Sequence, residues 1–153
     1  MTFNMSHSEG VAIYAFAVHD EIGVDIQSIR DDIHFHRIAN RYFAPSEVQR
    51  IMRADSSDQI HTFFQYWVRK EAVLKAAGCG LGDGLVTVDV GQDCRVEPDH
   101  LVARVPGSNE LWHVFDLPAI TGYRAALALR SVPRHIACWR VSQCEDFPVL
   151  TCQ

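Results

Sequence analysis

Trp67, Glu71 and Lys75 recur at i, i+4 and i+8 within Trp67-Val68-Arg69-Lys70-Glu71-Ala72-Val73-Leu74-Lys75-Ala76. On a helix this spacing places them in one stripe, with Phe63 and Phe64 one turn earlier. A carboxylate and an ammonium one turn apart, beside a large aromatic, form an acid/base pair at the edge of an apolar wall. Two further groups can join it. Asp25 sits at the end of an alternating segment, on that segment's polar face, and His7 lies between Ser6 and Ser8 just ahead of another strand.

One carboxylate from a strand and one from a helix can hold Mg2+, which takes oxygen ligands, keeps several waters and completes its shell with substrate phosphates. Histidine and lysine supply positive charge for phosphate oxygens. These parts suit phosphoryl-type transfer, where catalysis is mostly positioning and charge neutralisation. The plainer reading of Glu71 and Lys75 is a helix-stabilising surface pair, worth about 0.2–0.5 kcal/mol.

The elements that must carry these residues can be read from the pattern. Val11 to Val18 is an apolar run expected to form a buried strand. After His19-Asp20-Glu21, the residues Ile22, Val24 and Ile26 alternate with Gly23, Asp25 and Gln27, so a strand puts the two sets on opposite faces. The two segments are expected to pair as a hairpin. Ile33 to Phe43 is helical in character, Pro45-Ser46-Glu47 opens a short helix through Met52, and Ser56-Ser57-Asp58 offers caps for a long helix from about Gln59 to Ala77 that stops at Gly78. Gly78 to Gly84 is a helix stop and loop, and it lacks the Gly-Lys-Ser/Thr ending of a Walker-type phosphate cradle. Strands are then expected at Leu85–Val90, Leu101–Val105, Leu111–Leu117, Arg124–Leu129 and Ile136–Val141. The fold class is α+β, an antiparallel sheet packed against a long helix.

The chain has 153 residues, one domain's worth, so residues 1–153 are expected to form a single domain. It is 48% hydrophobic, which is incompatible with intrinsic disorder. A net charge of −5 makes it a poor general nucleic-acid binder. No apolar run approaches the roughly 20 residues a membrane span needs, and the polar stretch ahead of Val11 makes a poor signal peptide. The five cysteines, at 79, 94, 138, 144 and 152, show no Cys-x-x-Cys spacing. They are expected to be mostly buried small hydrophobes in a reducing, cytoplasmic setting. His34 and His36 are two apart and do not share a helix face, which argues against a metal pair there. Between Ser28 and Lys75, eight basic residues face six acids, a local +2 inside the −5 chain. That segment is either a set of ordinary solvated helix faces or a docking surface for an acidic partner or a polyphosphate.

Three blocks together carry a resemblance. They are Phe3-Asn4-Met5-Ser6-His7-Ser8-x-Gly10, then Gly23-Val24-Asp25-Ile26, then Phe64-x-x-Trp67-x-x-Lys70-Glu71-Ala72-x-x-Lys75-Ala76-x-Gly78-x-Gly80-Leu81. Their order and spacing resemble the surfactin-synthetase-activating type of 4'-phosphopantetheinyl transferase, over roughly residues 3 to 81. The resemblance implies transfer of the 4'-phosphopantetheine arm of coenzyme A to a serine of an acidic acyl or peptidyl carrier protein, with Mg2+ required. It implies Asp25 and Glu71 as metal ligands, Glu71 as general base and Lys75 on the pyrophosphate and the leaving phosphate. It also implies Ser6 and His7 at the coenzyme A nucleotide and phosphates, Lys70 as added charge, and Trp67 as the wall under Lys75. Glu47 falls where the family often has an acid at a helix start.

Two departures accompany the resemblance. Gln27 stands where relatives often carry a second strand acid, and an amide is a weaker Mg2+ ligand than a carboxylate. The family is normally a pseudodimer of two similar halves, and this chain begins at a block that usually lies in the middle, so only the C-terminal half is expected here. A half-molecule would expose the apolar face its partner covers, which implies a homo-oligomer, a dimer or a trimer. The same departures leave an alternative, an impaired half-domain that binds coenzyme A or a carrier protein without transfer.

Overall fold

A computed structural model describes residues 1–79, 85–90, 95–97, 100–105, 110–118 and 120–141. The fold is α+β. Strand β1 (Thr2–Ser8) and strand β2 (Val11–Ala17) form a two-stranded antiparallel hairpin. Strand β3 (Ile22–Ser28) leads to helices α1 (Phe35–Tyr42), α2 (Pro45–Arg53) and α3 (Gln59–Ala76). Strands β4 (Arg95–Glu97), β5 (His100–Arg104), β6 (Leu111–Asp116) and β7 (Tyr123–Leu129) follow, and with β3 they make a five-stranded antiparallel sheet in the order β3-β7-β6-β5-β4. Among the described residues, no helix is long and apolar enough to cross a membrane.

The three helices lie close to where the sequence places them. Pro45 occupies the first turn of α2, where its missing N–H costs nothing. Gly78 ends α3 with φ of 66°, a left-handed conformation suited to glycine. Asp58 does stand at the N-cap of α3, but its side chain makes no capping hydrogen bond.

The strand pairing differs from expectation. The segments Val11–Val18 and Ile22–Gln27 do not pair with each other: β2 pairs with β1 and β3 pairs with β7, Asp25 opposite Ala126 and Gln27 opposite Arg124. The tight turn of the actual hairpin is Glu9-Gly10, where both residues have positive φ (39° and 81°), the geometry that matches strand twist in two-residue hairpins. Nor is β2 buried on both faces. Its Tyr14 and Phe16 are exposed together with Phe3 and Met5 of β1, while Ile13, Ala15 and Ala17 pack on Ile22, Val24, Leu127 and Leu129.

Further corrections concern the C-terminal portion. Leu85–Val90 is not a strand. Residues 85–87 form a helical turn, and only Asp89 makes a bridge, to Arg104. Ile136–Val141 has no strand pairing. Of the cysteines, Cys79 and Cys138 are exposed rather than buried, and Cys94, Cys144 and Cys152 lie outside the described residues, as does most of the Gly78–Gly84 loop.

The core that positions the site lies between α3 and the sheet. Phe63, Phe64, Val68, Ala72, Val73 and Leu74 of α3 are buried with Trp112, Val114, Ala126 and Ala128 of the sheet. Contact between α3 and β3 is close at Gly23, where a Cβ would run into the Ala72 carbonyl and the Ala76 backbone nitrogen. Sequence alternation suggested one buried and one polar face for β3. Both faces are in fact covered, by α3 on one side and by the hairpin on the other, and Asp25 is mid-strand and only 1% exposed.

Candidate active site

Strand β3 is the edge of the large sheet, so its outer N–H groups need partners. Strand β1 supplies them from side chains rather than by ladder pairing. The Val24 N–H donates to Asn4 Oδ1 (3.2 Å) and the Ser28 N–H to Ser8 Oγ (3.0 Å). Between them the Ser6 hydroxyl, itself buried, donates to Asp25 Oδ1 at 2.7 Å. The spacing Asn4-x-Ser6-x-Ser8 thus has a physical basis, since a period of two points all three polar side chains at one edge.

From the other side, α3 brings Lys75 to Asp25. The Lys75 ammonium donates to Asp25 Oδ1 (2.7 Å) and to the Val24 carbonyl (3.2 Å). Gln27, two residues along the strand, reaches Asp25 Oδ2 at 3.4 Å. Glu71, one turn before Lys75, is 5% exposed and has no hydrogen-bond or ion-pair partner among the described residues. Burial pushes its carboxyl up to about 7 from the ordinary 4.5, the Asp25 carboxylate adds to the rise, and Lys75 opposes it. Ser6, Asp25, Glu71 and Lys75 therefore form one cluster where the edge strand meets the long helix.

The other expected site residues sit elsewhere. His7 alternates with Ser6 and is exposed on the opposite face of the hairpin, away from Asp25. Trp67 shares the stripe with Glu71, and its ring packs among Phe43 and Phe63 at 6.4 and 5.8 Å. Lys70 is the clearest correction. It is fully buried, on a different side of α3, and cannot add charge at the cluster. Its ammonium pairs with Glu47 at 2.8 Å and donates to the carbonyls of Leu85 (2.9 Å) and Val88.

Glu47 completes this second buried arrangement by accepting from Ala44 N–H (2.8 Å) and Val90 N–H (2.9 Å). Burial alone would raise the Glu47 carboxyl and lower the Lys70 ammonium, and each partner opposes the shift of the other. The pair ties α2, α3 and residues 85–90 together. Its sequence signal was faint, because two residues 23 positions apart on separate helices share no periodicity.

Among the described residues no group of three or more His, Cys, Asp or Glu side chains converges as a metal cage. The donor set at Asp25 and Glu71 nevertheless fits Mg2+, which is commonly held by one or two carboxylates with waters and substrate phosphates filling the rest. Two carboxylates beside one ammonium leave the ionised cluster one positive charge short, and this repulsion from Asp25 adds to the larger effect of burial in raising the Glu71 carboxyl.

Comparison with known proteins follows the same lines. Slr0495 of Synechocystis sp. is 39% identical over 83 residues, which is 54% of this chain and 34% of its own length. The 4'-phosphopantetheinyl transferase HetI of Nostoc sp. is 35% identical over 81 residues, 53% of this chain and 34% of its own length. The aligned stretch is thus about a third of the length of each of these relatives. The crystal structure of a holo-(acyl-carrier-protein) synthase from Bacillus anthracis, in complex with CoA, shares the fold with a TM-score of 0.53 at 19% identity, covering 71% of this chain and 93% of that one. The sequence model of the 4'-phosphopantetheinyl transferase superfamily matches residues 21–128, which include β3, all three helices, Asp25, Glu71 and Lys75. The chain therefore belongs to the 4'-phosphopantetheinyl transferase superfamily.

Proposed function

We propose that this chain carries the metal and phosphate half of an enzyme that transfers the 4'-phosphopantetheine arm of coenzyme A to a serine of an acyl or peptidyl carrier protein. The observation that supports this most is the cluster of Ser6, Asp25, Glu71 and Lys75 at the junction of β3 and α3, with the Glu71 carboxyl pushed up to about 7. In the metal-free cluster Glu71 holds its proton up to about neutral pH, and a cation held beside it would favour the carboxylate form that accepts a proton. In the reaction, the carrier serine oxygen forms a bond to the phosphorus nearer the pantetheine arm, and the bond from that phosphorus to adenosine 3',5'-bisphosphate breaks. Glu71 accepts the serine proton, directly or through water. Lys75 leaves its contact with Asp25 and neutralises the leaving phosphate. Ser6 fixes the orientation of Asp25 through its 2.7 Å hydrogen bond.

Asp25 and Glu71 would hold Mg2+, with Gln27 as a weaker neighbour. When bound there, the ion supplies charge neutralisation for the pyrophosphate. Lys70, buried against Glu47, acts by holding α3 and residues 85–90 in place. We further propose a cytoplasmic setting, consistent with the free thiols of Cys79 and Cys138. A homo-oligomer is proposed from the exposed Phe3, Met5, Tyr14 and Phe16 on one face of the hairpin. Solution mass decides this point, and a monomer of about the 17.3 kDa chain mass refutes it.

The direct test incubates the protein with coenzyme A, Mg2+ and an apo carrier protein and follows the intact mass of the carrier. The expected result is the gain of one phosphopantetheine arm, abolished by Glu71→Ala and by Lys75→Ala. No gain with coenzyme A still bound would establish instead the binding-only reading that Gln27 allows.

A further inference from the structure

Helix α3 is tied to the sheet on both of its flanks. Asp25 of β3 and Asp116 of β6 are both register partners of Ala126 on β7, so the three residues form one row across the sheet. The small, fully buried Ala126 lies in the core beneath the helix. The two acids stand two strand spacings apart, about 10 Å. On one flank Lys75 pairs with Asp25. On the other, Arg69 grips Asp116 with two prongs (Nε at 2.8 Å, Nη2 at 2.5 Å), and Gln65 donates to the same carboxylate (2.7 Å).

The two flanks move as one. Glu71 follows Arg69 by two residues, about 200° around the helix, so the groups that meet Asp116 and those beside Asp25 project to opposite sides of one cylinder. A carboxyl about 6 Å from the helix axis shifts by about 1 Å when the helix turns by about 10°. A displacement of that size at reacting groups costs about a hundred-fold in rate. The Arg69–Asp116 pair is built to resist such a turn. Its side chains are only 10% and 23% exposed, its planar fork fixes direction as well as distance, and Gln65, one turn earlier, adds a second point of attachment. The Lys75–Asp25 contact cannot serve instead, because in the proposed reaction Lys75 leaves Asp25 for the leaving phosphate.

We infer that Asp116, acting through Arg69 and Gln65, is a positioning residue that fixes the rotation of α3 and so keeps Glu71 beside Asp25 while Lys75 is engaged elsewhere. The inference rests on the transferase reading above. Asp116 stands two strands from Asp25, with Ala126 between them, so its influence reaches the cluster through the helix. Its loss therefore lowers the rate of transfer and loosens a divalent cation at Asp25 and Glu71, and leaves substrate binding alone. A pair that merely stabilised the fold would change the melting temperature and nothing else.

The test compares wild type with Arg69→Met, Asp116→Asn and the double variant. It measures steady-state transfer, with coenzyme A and an apo carrier protein varied separately, and Mn2+ affinity by electron paramagnetic resonance. Each single variant should lose about ten-fold or more in kcat, with both KM values within about two-fold of wild type. The Kd for Mn2+ should rise about five-fold, and the double variant should be no worse than either single one, because all three break the same clamp. Arg69→Lys, which keeps the charge without the fork, should fall between wild type and Arg69→Met. Should Arg69→Met melt early, Gln65→Leu carries the test with the same direction and a smaller effect. Folded variants with wild-type kcat and Mn2+ affinity overturn the inference, whatever their melting temperatures. A change confined to one KM also overturns it, as do additive losses in the double variant. A wild type that transfers nothing, with Mn2+ affinity that still depends on the clamp, would sink the transferase reading and leave the positioning role standing.

Discussion

Replacing Glu71 by Gln should stabilise the protein in alkaline solution, although it removes the proposed base. Burial and the neighbouring Asp25 hold the Glu71 carboxyl at about 7 rather than 4.5. At about 1.36 kcal/mol per pH unit, the ionised form in the native state costs about 3 kcal/mol. The sign follows from proton linkage. The native state holds this proton more tightly than the unfolded state, so the stability it contributes is complete below about pH 4.5, falls as pH rises, and is lost above about pH 7. Glutamine keeps the shape and cannot ionise. In the presence of a chelator, Glu71→Gln should therefore exceed wild type by about 3 kcal/mol at pH 8 and by under about 1 kcal/mol at pH 5. At roughly 2–4 °C per kcal/mol for a chain of this size, the melting temperature at pH 8 should rise by about 6–12 °C. Denaturant and thermal melts at the two pH values measure this. A gain of the same size at both, or none at pH 8, would refute the reasoning.

Three other outcomes follow from the same geometry. In wild type at pH 8, Mg2+ should raise the melting temperature, by about 2.7 kcal/mol of stability once its concentration is a hundred times its Kd, and Asp25→Asn should erase the response. Lys70→Met strands the buried Glu47 carboxylate and should cost about 3–5 kcal/mol by denaturant titration, of which Glu47→Gln in the same chain restores at least half. Gly23→Ala drives a methyl group into the backbone of α3 at Ala72 and Ala76 and should cost more than about 3 kcal/mol, read as early melting with loss of transfer.

Much of this was legible in the sequence, and what was not has identifiable causes. The long helix announced itself through its apolar periodicity and Gly78, and the Glu71–Lys75 stripe followed from helical geometry alone. The partner of β3 did not. Strand pairing is set by tertiary packing, and the short link from Ala17 to Ile22 made a hairpin look natural when β3 in fact joins β7, about a hundred residues later. Strand β1 escaped notice because its inward residues are Asn4, Ser6 and Ser8, polar side chains that read as a loop by composition yet repeat with strand spacing. The same alternation that turns Ser6 inward turns His7 outward. Lys70 looked like one more cation beside Glu71, but consecutive helix residues point about 100° apart, and Lys70 is claimed by an acid on another helix.

The central claim is that a strand carboxylate and a helix carboxylate share one divalent cation beside a diphosphate. Titration with Mn2+, a substitute accepted by the same oxygen ligands, followed by electron paramagnetic resonance with coenzyme A present, tests it most directly. The account requires one tight site per chain that is lost in Asp25→Asn and in Glu71→Gln alike, with the double variant no worse than either single one. Tight Mn2+ binding that survives both substitutions, or that responds to only one of them, would contradict it.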